Sequence, residues 1–333
     1  MKTTQLDIIF AIILSLSVCG TYLPQIIYVA KDGTGQYNTI GAAIAASPNY
    51  STSRTYIKVK PGIYRENIVV PEIKTMLTLI GYGMYKTIVS GDRSNGSGFH
   101  TDKTATADIY GQNFLAVDIT IENTAGAANQ QAVALKSEAQ STFYRCRFLG
   151  YQDTLYAKAG MQFYRDCEIF GTVDFIFGNA AVVFQNCRIF ALEPLPGQLN
   201  TITAQGRDNS KEEVGTIFHN CTILGAVDLQ GSVKTYFGRP WRFYSRVVIM
   251  QSEIHPLIDP QGWMKWDDTS PLDKLFYAEY DNRGTGADTS RRVTWPGRVL
   301  LNTTAQANYY TVRNFISGEK WIPATVPRFL DLI

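Results

Sequence analysis

The sequence predicts an all-β solenoid, a single-stranded parallel β-helix with short capping helices, and three observations carry that expectation. One pattern is written twice between Phe143 and Asp174. In each copy a cysteine (Cys146, Cys167) is followed by Gly four residues later (Gly150, Gly171) and by Asp seven later (Asp153, Asp174). Both the cysteines and the aspartates stand 21 residues apart. Further copies surround Cys187 and Cys221, and a degenerate one surrounds Ser252. Last, residues after each cysteine alternate. Phe148, Ile169, Ile189 and Ile223 share the cysteine face, and Arg147, Glu168, Arg188 and Thr222 take the other. A period near twenty built on short half-buried strands signals a solenoid, because one coil cannot bury its apolar face alone.

The elements follow in chain order. Lys2 precedes an apolar run, Ile8 to Val18, ending in the small residues of Val18-Cys19-Gly20. That run suits a secretory signal and is shorter than the roughly 20 residues a membrane-spanning helix needs. Residues 1–20 are therefore expected to be a cleaved signal, and residues 21–333 one β-helix domain. Tyr28 to Gly35 reads as a strand and Gly-rich turn, and a helix from an Asn38 cap to Ala46 is expected to cover the open end of the solenoid. Tyr56–Lys60, Ile63–Val70, Leu77–Gly81 and Phe114–Ile121 continue as strands. The longest break, Ala191 to Ile202, carries Pro194, Pro196 and Gly197, and inserted loops of this kind often build a solenoid's binding cleft. From Trp263 onward the periodicity fades, consistent with loops and a terminal cap.

Composition narrows the functions. A net charge of +2 gives no nucleic-acid footprint. Cys146, Cys167, Cys187 and Cys221 fit two readings, disulfides of a secreted chain or an inward ladder of small apolar groups. No cysteine spacing suggests zinc. Asn49, Asn95, Asn220 and Asn302 head glycosylation sequons, of which Asn220 falls inside a repeat strand.

Only His100, His219 and His255 are present, none in a nucleophile-elbow context, which argues against Ser–His–Asp chemistry. The remaining reactive constellation is the carboxylate pair. Stacked one coil apart, about 4.8 Å, Asp153 and Asp174 cannot both ionise freely, so one is expected to keep a proton beside an ionised partner. Turns also favour aspartate for their own reasons, and Asp228 occupies the same repeat position. Gln131 and Gln152 are neutral donors suited to an oxyanion, or members of a polar ladder. Arg239 in Gly238-Arg239-Pro240-Trp241 can form a bidentate pair with a carboxylate, and Trp241 offers a sugar a flat face or packs in the core.

Taken in order, six segments resemble the plant-type pectinesterases (pectin methylesterases). They are Gly62–Glu66, Gln131–Leu135, Gly150–Tyr156, Gly171–Asn179, Thr203–Arg207 and Gly238–Trp241. The resemblance runs from Tyr28 to the carboxy terminus and to the form without an inhibitor-like pro-domain. It implies a right-handed β-helix and hydrolysis of the galacturonate methyl esters of pectin. It assigns Asp174 as nucleophile, Asp153 as acid/base, Gln131 and Gln152 as oxyanion donors, and Arg239 as the group orienting Asp174. Thr101, Gln131, Arg239, Trp241 and Trp263 would line the substrate groove. No metal or cofactor is implied. The implied setting is a monomer in the cell wall, with pectin and a proteinaceous pectinesterase inhibitor as partners and no membrane once the signal is gone. Two departures stand out: a turn one residue short around Ser137–Gln140, and a loose match around Thr101. A glycan-cleaving β-helix is the competing reading, since carboxylates ~5 Å apart also suit a retaining glycosidase. An inactive wall-binding protein is a third, opposed by the intact set of reactive side chains.

Overall fold

A computed structural model describes residues 25–333. The expected signal, residues 1–20, lies outside them. Among the described residues every strand pairing is parallel, and the strands form three long sheets of eleven, eight and seven strands, termed A, B and C. One coil illustrates the path. Ser141–Tyr144 lies in A, Arg147–Leu149 in B and Leu155–Ala157 in C, and Met161–Arg165 then returns to A beside its starting strand. The result is a parallel β-helix, right-handed as crossovers between parallel strands are.

The repeat read from the sequence is the coil. Phe148 pairs with Ile169, Ile169 with Ile189 and Ile189 with Ile223, each one rung apart. All four are fully buried, and so are Cys146, Cys167, Cys187 and Cys221. The four thiols are free and form the inward ladder. Beside it, Phe143, Tyr164, Phe184 and Phe218 stack with centroids 4.7, 4.6 and 5.1 Å apart. Each such ring contributes about 1.5–3 kcal/mol by leaving water, so a stack of identical positions is self-reinforcing. Ser252 completes the ladder where cysteine is lost, its hydroxyl accepting from the Cys221 N–H at 3.0 Å.

Four expectations are corrected. Phe114–Ile121 is two strands, Phe114–Val117 in A and Thr120–Asn123 in B, because Asp118 turns between them at φ 58°. Ile63–Val70 likewise divides into Gly62–Arg65 and Ile68–Val70. Helix α1 (Ile40–Ala46) does pack over the first coil, but its N-cap is Thr39, whose hydroxyl accepts from the Ala42 N–H at 3.3 Å. The last part of the carboxy-terminal segment is not an end cap. Helices α2 (Thr304–Asn308) and α3 (Val312–Ile316) and the chain after them lie along the outer face of sheet A. There Val312, Ile316, Ile322 and Val326 pack on Phe163, Val183, Ile217 and Val248.

Candidate active site

The site grows out of the turn between sheets B and C. Leu155 pairs with Ile176 and Tyr156 with Phe177, so Asp153 and Asp174, each two residues before its strand, sit on consecutive rungs. Both adopt left-handed backbone, φ 65° and 52°, conformations that cost a non-glycine residue of order 1–3 kcal/mol each. Such outliers persist only where surrounding contacts determine them.

Around Asp174 those contacts are explicit. Arg239 donates from Nε to Oδ1 at 2.9 Å and from its terminal nitrogen to Oδ2 at 2.7 Å, the bidentate pair expected of this residue. Thr201 adds a hydroxyl bond to Oδ1 at 2.6 Å. Arg239 reaches the site because Gly238 approaches the neighbouring strand closely: a Cβ there would lie 1.9 Å from Thr203 Oγ1. The guanidinium is backed by Trp266, with its carbon 4.4 Å from the ring centroid.

Asp153 differs. It is 8% exposed, and no donor among the described residues reaches its carboxyl. Burial pushes its pKa well above the usual carboxylate range, the charge of Asp174 pushes it further, and Arg239 only partly offsets both. A protonated carboxyl beside an arginine-held carboxylate is the arrangement that supplies an acid and a nucleophile at once.

The two aspartates open into a cleft of about 380 Å³, lined also by Thr101, Gln131, Gln152, Arg239 and Trp241. Its floor is the outer face of sheet C, where Tyr156 and Phe177 stack at 4.1 Å and Trp241 stands edge-on to both. Gly206 makes room for the indole: a Cβ there would be 2.9 Å from the Trp241 ring.

Trp263 is the residue that does not arrive. It is 1% exposed, stacked on Tyr277 at 4.3 Å and tilted against Phe237, deep in the core. Trp266, three residues on, occupies the groove instead. The Trp263 N–H donates to the Gln261 carbonyl and the Met264 N–H to Gly238, so the backbone turns the first indole inward and leaves the second over Arg239. The Pro-rich break after Ala191 does not line the cleft either; the segment His100–Asp102 forms that wall. Sequence reasoning missed His100, Asp102, Tyr156, Phe177, Trp266 and Thr201. Tyr156 and Phe177 were legible as outward positions of consecutive repeats, while Thr201 carried no signal of its own. Asp228, at the same repeat position as the pair, is exposed and lies outside the cleft.

This geometry coincides with a clear relationship. The pectinesterase family model matches residues 26–319. The chain belongs to the pectinesterase family. It is 51% identical over 303 residues to pectinesterase 2 of Citrus sinensis, covering 90% of this chain and 59% of that protein. It is 50% identical to the probable pectinesterase/pectinesterase inhibitor 17 of Arabidopsis thaliana, of which it covers 58%. The chain thus spans little more than half the length of these curated relatives. Among solved structures, the pectin methylesterase from carrot superimposes with a TM-score of 0.91 at 46% identity, covering 94% of this chain and 99% of that one. The pectin methylesterase from Aspergillus niger gives 0.79 at 33% identity, covering 90% and 97%. Among the described residues no helix is long and apolar enough to cross a membrane.

Proposed function

We propose that this pectinesterase-family chain removes methyl esters from the galacturonate units of pectin, releasing methanol and de-esterified polymer. The observation that carries the reading is the asymmetric carboxyl pair: Asp153 is buried without a hydrogen-bond partner, one rung from Asp174 in its arginine clamp. Family membership and the names of the relatives support the same chemistry.

In this reading a galacturonate methyl ester lies over Tyr156 and Phe177 with its carbonyl carbon facing Asp174. The carboxylate attacks, and Gln131 and Gln152 stabilise the oxyanion, a contribution of about 3–4 kcal/mol per donor in comparable holes. The C–O bond to methoxide breaks as Asp153 delivers its proton, so methanol leaves and an acyl-enzyme anhydride remains. Asp153 then takes a proton from water, whose oxygen opens the anhydride and restores Asp174. Thr101 and Trp241 line the groove beside the reacting sugar. Each step uses the chain's own side chains.

The proposal extends to secretion into the cell wall after loss of residues 1–20. A proteinaceous pectinesterase inhibitor is included as a second partner, on the support of relatives whose names join the two words. The deciding experiment measures methanol and chain length together on methyl-esterified galacturonan. Methanol released at constant chain length is the expected result; chain shortening would transfer the site to glycan cleavage. Secreted protein that still begins at Met1 would remove the signal from the reading.

A further inference from the structure

Thr201 enters the site from the strand Asn200–Gln205, one rung beyond Asp174 and directly after the Pro-rich break. It is fully buried. Its hydroxyl makes two bonds to one residue: it accepts from the Asp174 backbone N–H at 2.9 Å and donates to Asp174 Oδ1 at 2.6 Å. Backbone and carboxylate of the left-handed Asp174 are thereby joined through a single atom, which closes a small ring and fixes the side-chain torsion. Threonine suits this task because its branched Cβ leaves few rotamers of its own.

The bonds also distinguish the two carboxylate oxygens. Oδ1 accepts from Arg239 Nε and from Thr201, one donor for each of its two lone pairs. Among the described residues, Oδ2 accepts only from the terminal nitrogen of Arg239, at 2.7 Å. One lone pair of Oδ2 is left without a protein donor.

We propose that Thr201 is a positioning residue for the ester hydrolysis, holding Asp174 so that Oδ2 is the attacking oxygen. This rests on the reading of the preceding subsection. In the step so defined, a lone pair of Oδ2 forms the bond to the ester carbonyl carbon, and Asp153 supplies the proton that leaves with methanol. The bond from carbon to the methoxy oxygen breaks, and Oδ1 becomes the carbonyl oxygen of the anhydride, still held by Thr201 and Arg239. Without the hydroxyl, Asp174 keeps its arginine partner but gains torsional freedom, and the two oxygens become closer to equivalent. Substrate binding, made by the aromatic floor, is unaffected.

The test compares Thr201→Val and Thr201→Ser with the wild-type full chain, reading methanol release from methyl-esterified galacturonan at steady state and with enzyme in excess. A single hydrogen bond to a charged group corresponds to about a 10- to 100-fold effect. Thr201→Val is expected to lose that factor in kcat and in the excess-enzyme rate with KM unchanged, and Thr201→Ser to recover to within about threefold of wild type. Wild-type kcat in Thr201→Val, a loss confined to KM, or a serine variant as slow as valine would overturn the proposal. If circular dichroism shows that the valine variant has not folded, Thr201→Ala against Thr201→Ser makes the same comparison. A wild type that releases no methanol counts against the proposed function itself, whereas equal rates in wild type and Thr201→Val count against this inference alone.

Discussion

The coil turns twice through left-handed backbone, once between sheets A and B and once between B and C, and the two turns use it differently. At the first, Arg145, Asp166, Asn186 and Asn220 stand at φ 50–58°, each immediately before a ladder cysteine. Their side chains satisfy one another. Asn186 donates to Asp166 Oδ1 at 2.5 Å, Asn220 donates to Asn186 at 3.2 Å, and Arg145 pairs with Asp118 at 2.6 Å. At the second turn the residues are Asp153 and Asp174. Asp174 is satisfied by groups from later coils, Thr201 and Arg239, and Asp153 is left buried and unpaired. The same backbone device therefore yields a structural ladder where the turn side chains bond along the stack. It yields a reactive pair where an arginine reaches one member and nothing reaches the other.

The largest effect expected of this contrast comes from exchanging the character of the residues. Asp174→Asn should lower methanol release by on the order of 10⁴-fold or more, as loss of a nucleophile does. Asn186→Asp at the other turn should leave the rate within twofold or so of wild type, as should Asp228→Asn at the exposed repeat position. An inactive Asp228→Asn beside an active Asp174→Asn would mean that chemistry belongs to a different coil.

Next comes Asp153→Asn, with a loss of about 10²–10⁴-fold, typical of a positioned general acid and base. The pH profile sharpens this. Because the folded pKa of Asp153 is raised, chiefly by burial and then by Asp174, its proton is present below that value and lost above it. The acid-catalysed step should decline on the alkaline side, and the variant should lose that limb. The linked stability has the same sign: it is complete below the ordinary carboxylate value and falls as pH rises through the raised one. Thermal unfolding of wild type and Asp153→Asn against pH reads it directly.

At the structural turn, Asn186→Ala should cost about 1 kcal/mol and a few degrees of Tm, by removing two exposed hydrogen bonds, with kcat unchanged. A large loss of activity there would erase the distinction between the turns.

The smallest effect concerns the outer face of sheet A. His219 is fully buried and spans Gln185 and Gln251, its Nδ1 3.2 Å from the one and its Nε2 3.0 Å from the other. Those glutamines hold the backbone of Phe329 and Ile333. Burial lowers the His219 pKa, the Arg165 charge lowers it further, and the Gln251 bond partly compensates. Its contribution is thus present above the ordinary histidine value of 6.5 and is lost as pH falls below it. Tm measured between pH 7 and 5 should drop more in wild type than in His219→Gln.

How much of this was legible in the sequence follows from how local each feature is. Strand alternation and the 21-residue spacing are local. They determined the coil, the inward cysteines and the adjacency of Asp153 and Asp174, because parallel stacking converts equal spacing into contact. Arg239 and Trp241 were legible through a resemblance of motifs, not through their spacing. Tertiary structure decided the rest. Whether Trp263 or Trp266 faced the groove depended on the phase of a loop with no strand to set it, and the backbone bonds around Gln261 and Met264 turned Trp263 inward. Thr201 reached Asp174 only after a break of irregular length had closed onto the next rung. The carboxy-terminal chain found the flank of sheet A because Phe163, Val183 and Ile217 present an outward apolar strip that no neighbouring coil covers. A side chain in a regular strand points where its parity sends it, whereas one in a loop points where closure of the backbone leaves room.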